Sequence, residues 1–158
     1  MIKLCRIDHR LLHGQVAYVW SHSLAADAIL VASDEVAKDD MRMATMRLAK
    51  PAGVKLVIKS LDDSIKAINS GVTDKYKLLI VTGSVQDAYK LTNGCSAIKT
   101  INLGGSKNRP GTKKLDTAFY VTDEESNILK DMLNKSIELE IRQIPEDKKK
   151  IVSEGMLV

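Results

Sequence analysis

The residues of this chain that are best suited to chemistry lie in one short segment near the N-terminus. Residues 6–16 have the sequence RIDHRLLHGQV, which places two arginines, an aspartate, two histidines and a glycine close together. An apolar run precedes this segment and a helical pattern follows it, as in a strand–loop–helix unit. Ligands of open α/β sheets bind at the carboxyl ends of strands, beside the helices that follow. On charge grounds, the segment therefore predicts an anion site.

The residue types in this segment suit phosphoryl transfer. A neutral imidazole such as that of His13 is a good nucleophile towards phosphorus, and the phosphoramidate it forms transfers readily onward. Arg6 and Arg10 can spread the charge of the transferring group. His13 lies at the start of the predicted helix, whose free N–H groups and positive dipole end favour phosphate oxygens. We therefore predict catalytic roles for His13, Arg6 and Arg10.

Four further residues are predicted to bind the phosphoryl group or to support the loop. Gly14 removes a side chain where the phosphoryl group would approach the backbone, and Gln15 continues the helix start. Asp8 could orient an arginine or accept hydrogen bonds from backbone N–H groups of the loop. Asp34 follows the end of another predicted strand, where it could line the same cleft or cap the next helix.

The same residues also allow interpretations without catalysis. A histidine at a helix start can be a cap or a packed polar group, and Arg6 and Arg10 can be surface charges. The alternative function is a non-catalytic module that binds an anion or nucleic acid through the same basic loop. His9 is a second candidate acceptor, but only His13 directly precedes the Gly14 helix start.

The composition restricts the class of protein. The chain has 158 residues, of which 44% are hydrophobic and 28% charged, which predicts a single domain over residues 1–158. No apolar run approaches the roughly 20 residues that cross a bilayer, and the first residues lack the pattern of a secretory signal. We therefore expect a cytoplasmic protein. The net charge of +4 permits anionic partners, but 4% aromatic residues are too few for single-strand nucleic-acid binding.

The sequence contains no recognisable metal or nucleotide motif. Cys5 and Cys95 are far apart and lack metal-ligand spacing, and Cys5 lies in an apolar run that predicts a buried free thiol. There is no Walker-type glycine-rich loop. Because arginines and a helix terminus can supply the positive charge that Mg²⁺ supplies in kinases, we expect neither a metal nor a cofactor.

Short apolar strands alternate with helical segments, which predicts an α/β fold with an open, mostly parallel sheet covered by helices on both faces. The predicted strands cover residues 2–7, 28–33, 54–59, 78–82, 97–103 and 118–121. The predicted helices cover residues 14–24 and 35–50 and three segments that begin at Ser60, Ser84 and Thr122, the last with a capping box to Glu125.

The C-terminal part of the pattern is less regular. Residues 137–142 alternate apolar and charged side chains, which indicates a half-exposed edge strand. The fold class also allows for one antiparallel strand at an edge of the sheet. Pro145 suits the first turn of a final helix. The three lysines at 148–150 are then expected on a solvated helix face.

Residues 6–16, with Trp20 shortly after them, closely resemble the active-site loop of IIB components in the mannose/fructose/sorbose family of the bacterial phosphotransferase system. Further motifs at residues 33–37, 51–55, 102–105 and 142–145 follow the order and spacing of that family. The resemblance extends over nearly the whole chain. The first motif is specific, whereas the others are weak singly and strong together.

The resemblance implies a function. The IIB unit of this family accepts a phosphoryl group from a phosphohistidine on its IIA partner and carries it on Nδ1 of a loop histidine. It then delivers the group to a sugar held by the membrane components IIC and IID, so the unit is peripheral to the membrane. The matching histidine is His13, and the matching arginines are Arg6 and Arg10. Nothing in the sequence indicates a sugar-lined pocket, so sugar selectivity is expected in the membrane components.

Two features depart from the family pattern. Many members have a second aspartate where this chain has His9, which changes the charge of the loop. A methionine often follows the Gly-Gly pair, whereas this chain has Ser106, followed by Lys107 and Arg109. Residues 104–114 could contact phosphate, could bind an acidic surface of IIA, or could form a solvated turn.

Overall fold

The computed structural model describes residues 1–157. In chain order its elements are β1 (Ile2–Asp8), α1 (Gly14–Ser23), β2 (Ala28–Ala32), α2 (Asp34–Ala37), α3 (Asp40–Ala49), β3 (Lys55–Lys59), α4 (Leu61–Asn69), β4 (Leu78–Thr82), α5 (Val85–Gly94), β5 (Thr100–Gly105), β6 (Lys113–Asp116), β7 (Phe119–Val121), α6 (Asp123–Asn134), β8 (Glu138–Ile141), β9 (Lys150–Ile151) and a 3₁₀ helix (Glu154–Leu157).

A seven-stranded sheet with the order β3-β2-β4-β1-β5-β8-β9 forms the centre of the fold. The first six strands are parallel, and β9 pairs antiparallel with β8 at one edge. Strands β2 and β4 are buried along their whole length, because helices cover both faces of a parallel sheet. The predicted α/β class, with a mostly parallel sheet, is confirmed. A separate hairpin of β6 and β7 lies outside this sheet.

Two apolar cores flank the sheet. On one face, Trp20 of α1 packs with Ile29 and Val81, and the side chain of Trp20 is only 1% exposed. On the other face, Leu91 of α5 and Leu129 of α6 belong to the larger core. The helical spacing around Trp20 therefore marks a core-facing surface. The buried residues of α1 are Ala17, Trp20 and Ser21, so this side of the helix is held against the sheet.

Helix starts follow the local capping signals of the sequence. The side-chain oxygens of Ser60 and Ser84 each accept a hydrogen bond from the backbone N–H three residues later. Thr122 and Glu125 form the predicted capping box at the start of α6. These starts were predictable because a cap depends on residues that are close in sequence.

The single helix predicted over residues 35–50 is wrong, because two helices occupy this range. Asp39 adopts an extended conformation and its carboxylate accepts a hydrogen bond from the Arg42 N–H, so α3 begins anew after it. Aspartate side chains compete with helix interiors and favour such caps. The cap of α2 is Ser33, which accepts from the Val36 N–H, so the alternative in which Asp34 caps this helix is excluded.

The C-terminal predictions need correction as well. Strand β8 is not a half-exposed edge: it lies between β5 and β9, and Leu139, Glu140 and Ile141 are all buried. The Glu140 side chain faces the interior, where its Oε2 forms an ion pair with Nε of Arg142 at 3.1 Å. No helix begins at Pro145, and the lysine run ends in the short strand β9 (Lys150–Ile151).

Residues 104–114 are less irregular than predicted. Gly104 is part of β5, which covers Thr100–Gly105 and is therefore shifted from the predicted range of 97–103. The far end of the segment enters the β6–β7 hairpin. Among residues 1–157, no helix is both long enough and apolar enough to cross a bilayer.

We expect removal of the α6 cap to destabilise the fold. Thr122→Ala removes the side-chain acceptor for the first-turn N–H and should lower the free energy of unfolding by about 1 kcal/mol. Urea denaturation followed by circular dichroism measures the change. Thr117→Ala is the matched control, since Thr117 is exposed in a turn outside any helix. Equal effects of the two substitutions would contradict a specific role of the cap.

Candidate active site

Two buried leucines, Leu11 and Leu12, hold the loop between β1 and α1 against the core. The Leu11 N–H donates to the Asp8 carbonyl at 2.9 Å, which closes a tight turn. Leu11 has a positive φ of 58°, a conformation that is costly for a side-chain-bearing residue. The side chains of Leu11 and Leu12 are buried in the same core as Trp20, and this burial offsets the strain. The charged residues of the loop are thereby held at the carboxyl end of the sheet.

A buried carboxylate connects the charged residues of the loop. The side chain of Asp8 has no exposed surface. Its Oδ2 accepts hydrogen bonds from Nη2 of Arg6 at 3.1 Å and from Nε2 of His13 at 3.0 Å. Its Oδ1 accepts from the backbone N–H of Arg10 at 3.0 Å. Asp8 thus makes both kinds of contact that its position in the sequence suggested.

These contacts keep Asp8 ionised despite its burial. Desolvation alone raises the pKa of a buried carboxyl group, but the hydrogen bonds from His13 and the Arg10 amide and the charge of Arg6 outweigh it. The pKa of Asp8 is therefore lower than its ordinary value. Burial lowers the pKa of the Arg6 guanidinium, with Asp8 opposing this effect. Arginine nevertheless remains protonated near neutral pH.

His13 occupies the N-cap position of α1 with an extended backbone, φ −146° and ψ 135°, and its side chain makes no capping hydrogen bond. The ring is 23% exposed. Since an ionised carboxylate can only accept hydrogen bonds, Asp8 requires the proton of a neutral His13 ring to be on Nε2. The lone pair is then on Nδ1, which has no hydrogen-bond partner within residues 1–157.

The start of α1 beside this ring is open to an anion. Gly14 has a positive φ of 41°, and a β-carbon placed there would contact nothing within 4 Å. Gly14 and Gln15 are both exposed, and the first turn of α1 contains no acidic residue. Because no side chain caps this terminus, its first N–H groups are available to donate hydrogen bonds to the oxygens of an anion.

The two predicted arginines lie in different environments. Arg10 is at the rim, where its side chain is 59% exposed and its Nε lies 3.7 Å from Asp8 Oδ1. Arg6 is buried, and Nη1 donates to Asn102 Oδ1 at 2.8 Å and to the Arg142 carbonyl at 3.2 Å. The donors of Arg6 are thus directed at protein groups, whereas the side chain of Arg10 can turn towards a ligand.

Asp34 stands apart from the group around Asp8. Its Oδ1 accepts a hydrogen bond from the Leu61 N–H at 2.8 Å, which ties α2 to the start of α4. Asp34 also lines a cavity of about 320 Å³ that includes His9 and Asp87 but not His13. Burial and the nearby charge of Asp34 raise the pKa of Asp87. Asp34 therefore lines a neighbouring cleft at the same edge of the sheet.

His9 is placed differently from His13. Its Nδ1 lies 3.8 Å from Asp8 Oδ1, is buried, and makes no hydrogen bond. Its backbone N–H donates to a carbonyl of β5 at 3.1 Å. Nδ1 is therefore free at His13, whereas the same ring nitrogen is buried at His9.

The segment after β5 is partly held by its own contacts. Ser106 Oγ donates to the Tyr120 carbonyl at 2.6 Å, and Arg109 forms an ion pair of 2.6 Å with the buried Glu125. Lys107 is exposed and helps to line a cavity of about 360 Å³ next to His9. The solvated-turn interpretation therefore holds only for part of this segment.

The sequence did not predict which residues surround the Arg6 side chain. Asn102, Gly104 and Arg142 surround the Arg6 guanidinium, and the ring of Trp20 lies 5.2 Å from its Cζ. Asn102 and Gly104 lie in the motif at residues 102–105, and Arg142 lies in the motif at residues 142–145. Those motifs were the available signal, but only strand pairing assigns them to Arg6.

The remaining candidate groups do not extend the site. Cys5 and Cys95 are free and buried, as predicted for Cys5. Burial and the proximity of Cys95 raise the pKa of the Cys5 thiol to about 12, so it is not a reactive thiolate near neutral pH. Within the part of the chain that the structure describes, no group of three or more histidine, cysteine, aspartate or glutamate side chains could hold a metal ion.

Fold and site together define an α/β protein that presents a histidine nitrogen beside an uncapped helix terminus. The family model described as the sorbose-subfamily IIB component of the phosphotransferase system (PTS) matches residues 2–156. The chain belongs to this family and is accordingly a phosphotransferase of the PTS.

Individual relatives agree with this assignment. The fructose-specific EIIB component of Bacillus subtilis is 31% identical over 146 residues, which are 92% of this chain and 90% of the relative. The mannose-specific EIIAB component of Escherichia coli K12 is 31% identical over 149 residues, which are 94% of this chain and 46% of the relative. The crystal structure of the IIBSor domain of the Klebsiella pneumoniae sorbose permease matches with a TM-score of 0.89 and 28% identity, covering 95% of this chain and 92% of that one.

Removal of the Asp8 charge should destabilise the protein in a pH-dependent way. Asp8→Asn leaves the buried Arg6 without its counter-charge, which should cost about 3 kcal/mol at pH 7. Because the pKa of Asp8 is lower in the folded chain, its stabilisation is fully present above about pH 4 and is lost as the pH falls towards the folded value. The variant should lack this acid-dependent loss, which urea denaturation at several pH values would measure.

Glu146→Gln serves as the control for this charge removal, since Glu146 is exposed. Its free energy of unfolding should stay within about 0.5 kcal/mol of the parent value. The assignment of a buried, ionised Asp8 is contradicted if Asp8→Asn is as stable as this control at neutral pH.

Proposed function

We propose that this chain is a cytoplasmic, membrane-peripheral phosphoryl carrier made of a single IIB domain. It takes a phosphoryl group from a IIA phosphohistidine onto Nδ1 of His13 and passes it to a sugar bound by the membrane components IIC and IID. One observation carries the proposal: Nε2 of His13 lies 3.0 Å from Oδ2 of the buried Asp8 carboxylate. Because an ionised carboxylate can only accept, the ring proton is placed on Nε2 and Nδ1 is left as the free nucleophile. Membership of the PTS IIB family supports the same role.

In the first step, Nδ1 of His13 attacks phosphorus in line with the donor. The new P–Nδ1 bond forms as the P–N bond to the IIA imidazole breaks, and that ring recovers its lone pair. Arg10 and the N–H groups of Gly14 and Gln15 stabilise the three equatorial oxygens. Asp8 holds the ring and compensates the positive charge that develops on it, as a carboxylate does for a reacting imidazole.

In the second step, a sugar hydroxyl attacks the phosphorus of phosphohistidine. The P–O bond forms as the P–Nδ1 bond breaks, the lone pair returns to Nδ1 and the hydroxyl proton passes to water. Because the Nε2 proton stays with the Asp8 hydrogen bond throughout, the ring departs as a neutral imidazole. The site therefore returns to its starting protonation state without a cofactor.

The partners follow from the family and from charge. The E. coli mannose relative is named as an EIIAB component, which combines A and B parts in one chain and supports a IIA partner for this protein. The net charge of +4 and the exposed Arg10 and Lys107 near the site favour an acidic docking surface on IIA. The same basic rim would serve the alternative, a non-catalytic module that binds an anion or nucleic acid, so covalent labelling must separate the two.

His13→Ala should abolish phosphorylation. The protein is incubated with phosphoenolpyruvate, the general PTS carrier proteins and its IIA partner, and labelling is followed by intact mass and by acid lability with base stability. His9→Ala is the matched control and should be labelled, because Nδ1 of His9 is buried in the parent protein. Labelling that survives His13→Ala and is lost in His9→Ala would reassign the acceptor, and an unlabelled parent protein would favour the non-catalytic alternative.

Arg10→Ala should slow phosphoryl transfer without unfolding the protein. Loss of one donor to the transferring group costs on the order of 100-fold in rate, while an exposed arginine contributes little to stability. Rapid-quench measurement of phosphoryl uptake from phosphorylated IIA tests this. Arg47→Ala removes an exposed arginine from α3 and should leave the rate unchanged. Equal rates for the two variants would refute direct participation of Arg10.

A further inference from the structure

A glycine in β5 lies directly beneath the buried guanidinium of Arg6. A β-carbon built on Gly104 would be 2.6 Å from Arg6 Nη2 and closer still to Cζ and Nη1. No side chain fits such distances, and the obstruction is a planar group that is itself held on several sides. Arg6 can therefore occupy its observed position only because residue 104 has no side chain.

Strand register places Gly104 in this position. Arg6 pairs with Asn102 and Ile7 with Leu103, but Asp8 pairs with Gly105, so the register shifts by one residue between the last two pairs. Gly104 lies between the last two of these pairs and has no partner on β1. Such bulges occur next to active sites, where they redirect side chains. Here the bulge places the backbone of Gly104, which has no side chain, against the Arg6 guanidinium.

Two acceptors fix the orientation of the guanidinium over Gly104. Nη1 of Arg6 donates to Asn102 Oδ1 at 2.8 Å and to the Arg142 carbonyl at 3.2 Å. The same carbonyl accepts from Asn102 Nδ2 at 3.2 Å, so the acceptors are themselves linked. With Nη1 held in this way, the planar fork aims Nη2 at Asp8 Oδ2. We call Asn102, Gly104 and the Arg142 carbonyl the Arg6 pocket.

We propose that Gly104 is a positioning residue for phosphoryl transfer: by admitting the Arg6 guanidinium, it fixes Asp8 Oδ2 against Nε2 of His13 and so keeps Nδ1 as the nucleophile. This inference rests on the proposed function. Without the fork from Arg6, only the Arg10 N–H at Oδ1 still holds Asp8, so Oδ2 can move away from Nε2 and His13 can exchange between its two neutral tautomers. Part of the population would then present a protonated Nδ1, which cannot attack phosphorus.

Gly104→Ala tests the proposal in the full chain. We expect phosphoryl uptake from phosphorylated IIA to slow on the order of 100-fold, the effect of displacing a catalytic group by about 1 Å. Long-range ¹H–¹⁵N NMR of the His13 ring should show loss of the single Nε2–H tautomer. This spectroscopic readout matters because a merely structural defect would lower stability without selecting between ring nitrogens.

Gly105→Ala is the matched control on the same strand. A β-carbon at Gly105 would lie 3.5 Å from Asp8 Oδ1 and 3.7 Å from His9 Nδ1, which are ordinary contact distances. Its transfer rate should stay within about threefold of the parent and the His13 tautomer should be unchanged. A parent-like rate and tautomer in Gly104→Ala would overturn the proposal, and so would equal slowing of both variants with the tautomer retained.

Arg6→Lys covers the case in which Gly104→Ala does not fold. Lysine keeps the positive charge, but a single ammonium group cannot form the fixed fork to Asn102 and Asp8. We expect the same mixture of His13 tautomers and the same slow uptake, whereas a parent-like tautomer would overturn the proposal. Failure of the proposed function would be distinguishable, because the parent protein itself would then not be labelled at His13.

Discussion

One buried carboxylate determines what the rest of the site can do. Asp8 is inaccessible to water yet stays ionised, because donors from β1, from the loop and from the His13 ring converge on it. Such a group can only accept hydrogen bonds, so it draws the ring proton to Nε2 and leaves the lone pair on Nδ1. The ring nitrogen that is left free at the surface is therefore determined by a carboxylate that has no exposed surface.

Arg6 and Arg10 carry the same charge in different environments, one in the interior and one at the surface. Arg6 balances the buried charge of Asp8, where the low dielectric makes the pairing strong and an unpaired charge costly. Arg10 stays in water, where its charge is screened and its side chain is largely exposed. Beside it, the uncapped start of α1 adds oriented N–H groups without adding a titratable residue.

The sheet topology makes this arrangement possible. Strands β2, β3 and β4 lie on one side of β1, and β5 and β8 lie on the other, so the end of β1 is a switch point of the sheet. The neighbouring strand β5 supplies the acceptor of Asn102 and the bare backbone of Gly104, and the residue after β8 supplies the Arg142 carbonyl. Burial of the Trp20 ring against Arg6 closes this side of the site.

By itself, the sequence determined the features that depend on near neighbours: the α/β alternation, the caps at Ser60 and Thr122, and the loop that carries His13. It did not predict the break at Asp39, because a side-chain cap there competes with a continuous helical pattern. Nor did it predict the burial of Glu140, which is neutralised by Arg142 in the folded chain. The Arg6 pocket was decided only by tertiary structure, since its hydrogen bonds span 96 and 136 residues and a strand bulge sets their geometry. Local sequence patterns indicate the secondary structure that each segment favours, whereas strand register determines which distant residues come into contact.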